Sequence, residues 1–215
     1  MKSTLLAFFC LAISSQIFGQ SGKFTVGMEY SPNYTNNTNP GRSFENGTGS
    51  RLAHNVFVKG GYRVVKDLYA TASVGYLNTS EFITLHLING SDITRIESDR
   101  THSYVIAPFG FTYNFGPFFV SPEIGIGWNT GNRSHDIFYY EDGSQLESET
   151  QDIHNFYGVH KNTYPLFLSF GSEVKVGSFA VLLGMKGYYS LNEIGDCYSN
   201  AGHYYGFGVL AGVKF

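Results

Sequence analysis

The chain has 215 residues and a net charge of −3, with only 14% charged side chains, 26 glycines, 19 Phe and 16 Tyr; ordinary soluble domains carry about 25% charged residues. So few charges beside so many aromatics argue against disorder, and the composition lacks the Ala, Glu, Lys and Leu bias of a coiled coil. A negative balance with no basic run argues against a nucleic-acid binder, and an ordinary hydrophobic share of 42% argues against a helical membrane protein.

In chain order, the first element is an address. Lys2 is followed by the apolar run Leu5 to Ile13, the polar Ser14, Ser15 and Gln16, and Ile17-Phe18-Gly19 before Gln20. This is the layout of a secretory signal peptide over residues 1–19, with residues 20–215 as one exported domain. The run is too short to span a bilayer, which takes about 20 apolar residues. Phe9 is not the small residue that a lipidated Cys10 requires. After cleavage Cys197 is the one cysteine left, so no internal disulfide is expected. The exported part holds no apolar run of 18 residues, so it is either soluble or crosses a membrane as a β-barrel.

From there the dominant period is two. Phe24, Val26, Met28 and Tyr30 alternate with Thr25, Gly27, Glu29 and Ser31. After Asn33 to Ala53, whose Asn, Pro and Gly content reads as an irregular, mobile loop, Val56 to Val64 and Leu68 to Tyr76 alternate again across a tight turn at Val65-Lys66-Asp67. A long loop from Asn78 to Thr101 leads to the segments Tyr104 to Tyr113 and Phe118 to Trp128, joined tightly through Asn114 to Pro117. The longest loop, Asn129 to Thr163, precedes Leu166 to Val176 and Phe179 to Tyr189, with a turn at Gly177-Ser178. Ser190 to His203 leads into the last segment, Tyr204 to Phe215. These are eight strands of the length that a tilted strand needs to cross a bilayer. Short turns alternate with long loops as in outer-membrane barrels, which puts the turns and both termini on the periplasmic side. Asn89-Gly90 and Asp142-Gly143, flanked by Phe82 to Ile96 and by Ile137 to Tyr140, are hairpin signals; they predict strands that run past the membrane into projecting hairpins.

Charge is segregated. The four long loops hold 6 basic and 13 acidic residues, net −7, whereas the rest of the exported chain holds 7 basic and 4 acidic, net +3. Within the strands every charge lies on the face opposite the apolar one, as it must if the apolar face meets lipid, where a charge costs about 2–4 kcal/mol at mid-depth. Glu29, Lys59, Arg63, Glu123, Glu173, Lys175 and Lys186 are therefore expected inside, as a salt-bridge network that plugs a lumen just wide enough for side chains. Inward glycines make room for them. Outward Tyr30, Tyr62, Tyr76, Tyr113, Trp128, Tyr164, Tyr189 and Tyr205 read as interfacial girdles.

With the signal peptide, eight alternating strands and a last strand GFGVLAGVKF, the sequence resembles the small outer-membrane β-barrel families of Gram-negative bacteria: OmpX-like, OmpA-type and PorT-like barrels. The resemblance implies an all-β, eight-stranded antiparallel up-and-down transmembrane barrel with long extracellular loops. It also implies that Tyr205, Phe207, Val209, Ala211, Val213 and Phe215 form the signal read by the barrel-assembly machinery. Other partners expected are outer-membrane lipid and lipopolysaccharide and an extracellular protein; no nucleic acid is expected.

Chemistry-bearing residues are sparse. All seven histidines (His54, His86, His102, His135, His154, His160 and His203) fall in or beside the long loops, without a tight ligand spacing. Ser103 beside His102 and Ser199 near His203 are the local pairs that a lipid A-modifying enzyme would need, and neither sits in a motif. The acidic residues of the third loop (Asp136, Glu141, Asp142, Glu147, Glu149, Asp152) read as solvated. No catalytic, cofactor or metal residue is assigned. The expected role is non-enzymatic, in surface interaction or envelope integrity through the extracellular loops, with a narrow channel as the alternative.

Overall fold

The structure is a computed structural model that describes residues 23–38, 47–86, 92–151, 161–192 and 202–215. The leader, Cys10, Asn89-Gly90, Asp152, His154, His160, Cys197 and Ser199 lie outside the described residues. The strands are β1 (Phe24–Asn37), β2 (Gly47–Val65), β3 (Leu68–His86), β4 (Ile93–Phe115), β5 (Phe118–Tyr140), β6 (Gln145–Gln151), β7 (Asn162–Thr163), β8 (Pro165–Val176), β9 (Phe179–Ser190) and β10 (Tyr204–Lys214). Each pairs antiparallel with its neighbours, and β10 returns to β1. β1, β2, β3, β4, β5, β8, β9 and β10 thereby close a ring of eight. Beyond it, β6 pairs the upper part of β5, and β7 pairs Gly127 and Trp128.

The period of two decides which way the ring faces. Val74, Val105, Phe109, Phe111, Ile126, Leu168, Phe170, Leu183, Phe207 and Val209 are exposed on the outside. Glu29, Ser31, Thr71, Ser121, Glu123, Ser169 and Lys186 are buried on the inside. The outward aromatics form two belts. Phe24, Tyr62, Tyr113, Phe115, Phe118 and Phe215 lie at the turn end; Tyr30, Tyr76, Trp128, Tyr164, Tyr189 and Tyr205 lie at the other. Along β10 the belts are ten residues apart, from Tyr205 to Phe215, which is about 25 Å for a tilted strand and matches the apolar band of a membrane barrel. Two of the tight turns use Gly116 and Gly177 at φ 67° and 62°, a region that costs other residues.

The first loop is shorter than its composition suggests. Asn33, Asn36, Asn37, Gly47 and Gly49 belong to β1 and β2, which run ahead into the span read from sequence as irregular. Asn33, Thr35 and Asn37 alternate inward and are buried, so their polarity reflects a polar interior rather than solvent. Thr35, with Asn55 of β2, also serves the backbone near a register shift between Ser50 and Val56. The amide of Asn78 donates to Asn55 Oδ1 at 2.9 Å, and that of Ser80 donates to Thr35 Oγ1 at 2.7 Å.

Three prolines stand inside the closed wall, where each removes a ladder donor. The strand pairing lapses opposite Pro32 between β1 and β10, opposite Pro108 between β3 and β4, and opposite Pro122 between β4 and β5, while the register continues unchanged on either side. Serine hydroxyls bridge the gaps. Ser31 Oγ donates to the Val209 carbonyl at 2.8 Å, and Ser121 Oγ to the Phe111 carbonyl at 3.2 Å. Both serines are fully buried and immediately precede the proline. Replacing Ser31 by Ala strips that carbonyl of its donor away from water; it is expected to cost about 1–3 kcal/mol. Denaturant unfolding of the barrel in detergent micelles measures this loss, and an unchanged midpoint would show that the hydroxyl is not needed.

Candidate functional site

Two features set this barrel apart from a bare ring: what fills its lumen and what stands above it. At mid-height Lys59 Nζ lies 2.5 Å from Glu123 Oε1 and 3.4 Å from Glu29 Oε1. Lys186 Nζ donates to Glu29 Oε2 at 2.7 Å. The four residues come from β2, β5, β1 and β9, so their charges meet across the lumen. Lys59 also donates to Ser121 Oγ at 2.9 Å, and Thr71 Oγ1 to Glu123 Oε1 at 3.3 Å. Two lysines and two glutamates balance, which is the condition under which buried charge is tolerated.

The other residues expected in this network are elsewhere. Glu173 pairs with Lys214 nearer the turns. Arg63 donates to the Tyr69 hydroxyl at 3.1 Å, and Arg63 and Lys175 are exposed at the barrel mouth. They share the inward parity, but the strands end before the lumen closes over them. Of the proposed assembly-signal residues, Tyr205, Phe207, Val209 and Phe215 face outward on β10 or just past it.

Above the charges lies an apolar layer of Phe57, Leu77, Tyr104, Ile106, Phe167, Tyr188 and Tyr204. Lys186 Nζ sits 4.0 Å from the Phe57 ring centre and 5.4 Å from that of Phe167, so a cation–π contact joins the two layers. Room for the rings is made by glycine: a Cβ on Gly206 would lie 2.4 Å from the Tyr188 ring. The sequence carries a signal for this layer, since Phe57 and Phe167 are large aromatics on the otherwise small and polar face.

A third, polar layer caps the rings. Tyr204 donates to Glu81 Oε1 at 2.7 Å; Ser98 and Ser134 donate to Asp136 Oδ1 at 2.5 and 2.7 Å. Arg100 Nε donates to Ser98 at 3.0 Å, and His102 Nδ1 lies 2.7 Å from Asn132 Oδ1. Asp136 is therefore buried in the wall rather than solvated in a loop. His102 and Ser103 are successive strand residues and face opposite sides: His102 is buried inside, whereas Ser103 donates to Asn78 Oδ1 at 2.9 Å. His203 stacks on Tyr189 at 5.2 Å, and its paired candidate Ser199 lies outside the described residues. Among the described residues no three of His, Cys, Asp and Glu converge as a metal site.

Beyond the upper belt the wall is lopsided. β8, β9 and β10 have 11 or 12 residues, but β4 and β5 have 23. The surplus raises a sheet of β3, β4, β5 and β6, joined by the start of β2, about 25 Å above the apolar band. Its outer face is knitted by charge. Arg51 pairs with Asp99 at 3.1 Å and lies over Phe82; Arg95 stacks 3.9 Å from the Tyr139 ring, and Tyr139 donates to Glu97 at 3.0 Å. The β5–β6 turn is set by Asp142, whose carboxylate is held below its ordinary range by hydrogen bonds from the Ser144 hydroxyl and amide. Among the described strands β6 pairs only β5. It carries the exposed Leu146, Glu147 and Glu149.

A closed antiparallel ring, apolar outside and polar inside, bounded by two aromatic belts and lopsided toward one end, is the architecture of a small outer-membrane β-barrel. No family model matches the chain, and no curated protein matches it in sequence. Solved structures similar to it include Ail, the attachment invasion locus protein of Yersinia pestis, in complex with the heparin analogue sucrose octasulfate. That likeness has 11% identity over 90% of this chain and 99% of Ail, with a TM-score of 0.41. The outer membrane protease OmpT of Escherichia coli is similar at 9% identity over 90% and 96%, TM-score 0.44. The outer membrane protein OprG of Pseudomonas aeruginosa is similar at 12% over 90% and 95%, TM-score 0.38.

The charge layer predicts an asymmetry between single and double substitutions. Glu29→Gln leaves Lys186 without its carboxylate and weakens the hold on Lys59, and is expected to cost about 3–5 kcal/mol; adding Lys186→Met should restore part of that, because a missing pair costs less than a lone buried charge. Denaturant titration of both variants checks this, and a double variant less stable than the single one would contradict it.

Proposed function

We propose that the protein is exported by its leader and inserted in the outer membrane with the short turns and both termini in the periplasm. There it serves without catalysis, in surface interaction or envelope integrity, through the sheet and loops that it holds outside. The observation that carries this reading is the contrast between a filled lumen and a projecting sheet. Charges and rings occupy the cross-section at successive heights, which favours a closed barrel over a narrow channel. The edge of β6 away from β5, unpaired among the described residues, suits an added strand, and Glu147 and Glu149 favour a partner strand that carries Lys or Arg. Lipid and lipopolysaccharide are the partners of the outward face, and β10, with Phe215 just past it, is the part offered to the assembly machinery. A lipid A-modifying role has less support, since His102 and Ser103 do not share a face.

In planar bilayers the folded protein is expected to show no large, steady conductance, and lipid A from expressing cells to keep its mass spectrum. A variant lacking the tip from Ile137 to Leu146 is expected to keep heat-modifiable gel migration but to lose the adhesion or detergent resistance conferred by the full chain. Full retention of both would remove the projecting sheet from the function, and a steady conductance would favour the channel.

A further inference from the structure

The mouth at the short-turn end has a charge pattern that neither the plug nor the projecting sheet uses. Lys23 and Arg63 are neighbours there, the Arg63 amide donating to the Lys23 carbonyl at 2.7 Å. Lys175 on β8 and Lys214 on β10 both pair with Ala180 of the strand between them, so they stand about 10 Å apart on one row with a methyl group between. All four share the inward parity of Thr25, Gly61 and Glu173. Lys23, Arg63 and Lys175 are exposed, and among the described residues none of them has a carboxylate within ion-pair distance. Residues 1–22 contain no acidic side chain. Glu173 neutralises Lys214, and the nearby turn adds Lys66 and Asp67, which cancel. Among the described side chains, three positive charges are left around one opening.

Behind the opening is a cavity of about 40 Å³, lined by Thr25, Gly61, Tyr69, Glu173 and Lys214, with Lys59 and Glu29 as its roof. Tyr69 stands between the cations: the Arg63 guanidinium lies 5.5 Å from its ring centre and Lys214 Nζ 5.6 Å. Its hydroxyl accepts from Arg63 Nε, which leaves the O–H free to donate into the mouth.

From this geometry we propose that the short-turn mouth is a binding site for a phosphate oxyanion. A single carboxylate would leave most of the charge unmatched. A phosphate group carries up to two charges and several acceptor oxygens, which suit a guanidinium fork and lysines on the same rim. The inward parity directs the site to the centre of the mouth. Free phosphate can enter it directly, and the headgroup of an anionic phospholipid can enter by bending over the rim.

The full-length protein, folded in neutral detergent, is titrated with inorganic phosphate and followed by calorimetry and phosphorus NMR. In parallel it is placed in phosphatidylcholine nanodiscs with or without phosphatidylglycerol, and retained lipid is counted by native mass spectrometry. Expected is saturable phosphate binding that weakens about tenfold or more in K23Q/R63Q/K175Q and as ionic strength rises. A matched R133Q/K161Q variant at the other end should bind as the wild type does. Retention of phosphatidylglycerol without binding of free phosphate assigns the oxyanion to the headgroup. Heat-modifiable migration establishes that each variant is folded, and K175Q alone, at an exposed position, should still weaken binding about threefold. The site is overturned if the folded wild type takes neither probe, if K23Q/R63Q/K175Q and K175Q bind undiminished, or if R133Q/K161Q loses as much.

Discussion

Everything in this barrel follows from one constraint: a backbone that crosses lipid must satisfy all its N–H and C=O groups within the protein. The ring supplies those partners only if it closes, and β1 with β10 closes it. The three prolines are the places where the constraint is strained. At Pro32 and Pro122 the preceding serine, turned inward by the alternation, lends a hydroxyl to the facing carbonyl. Near the register shift on β2, Asn55 and Thr35 serve the amides of Asn78 and Ser80 in the same way. Small inward polar residues are thus part of the wall.

The same economy shapes the lumen. Eight strands leave an interior just wide enough for side chains, so whatever lies on the inward face meets its counterparts from the opposite wall. Charges on four separate strands become one balanced layer, and Phe57, Ile106 and Phe167 pack above it. The ordering matters: Lys186 is bonded to Glu29 on one side and rests on Phe57 on the other, so electrostatics and packing hold the same ammonium group. The two ends of the barrel are built differently. One raises a charged sheet that ends, among the described strands, at β6, and the other gathers lysines and an arginine around a shallow mouth.

Much of the strand content was legible because a half-lipid, half-lumen strand writes its faces into alternate residues. The alternation of Phe109 and Phe111 with Gly110 already separates the two sides. It failed where both faces turn polar. Asn33, Asn36 and Asn37 look like a loop because, above the apolar band, the outward face no longer has to be greasy. The charge layer was legible as a set of inward charges at similar height. Arg63 and Lys175 share that parity, yet they sit past the point where the wall encloses them. Lys214 shares it too and acquires Glu173, a pairing that depends on β8 and β10 facing each other across β9.

The sequence by itself determined the fold class and the sidedness of the eight strands of the ring within the apolar band, because period, length and composition are local properties that the bilayer imposes residue by residue. Only the tertiary structure decided which charges meet, which rings stack above them, which serines stand in for the donors that proline lacks, and how far β4 and β5 outreach β8 to β10. Those outcomes depend on register and shear around a closed ring, where residues more than a hundred positions apart, such as Glu29 and Lys186, come within hydrogen-bond reach. No local pattern records that distance.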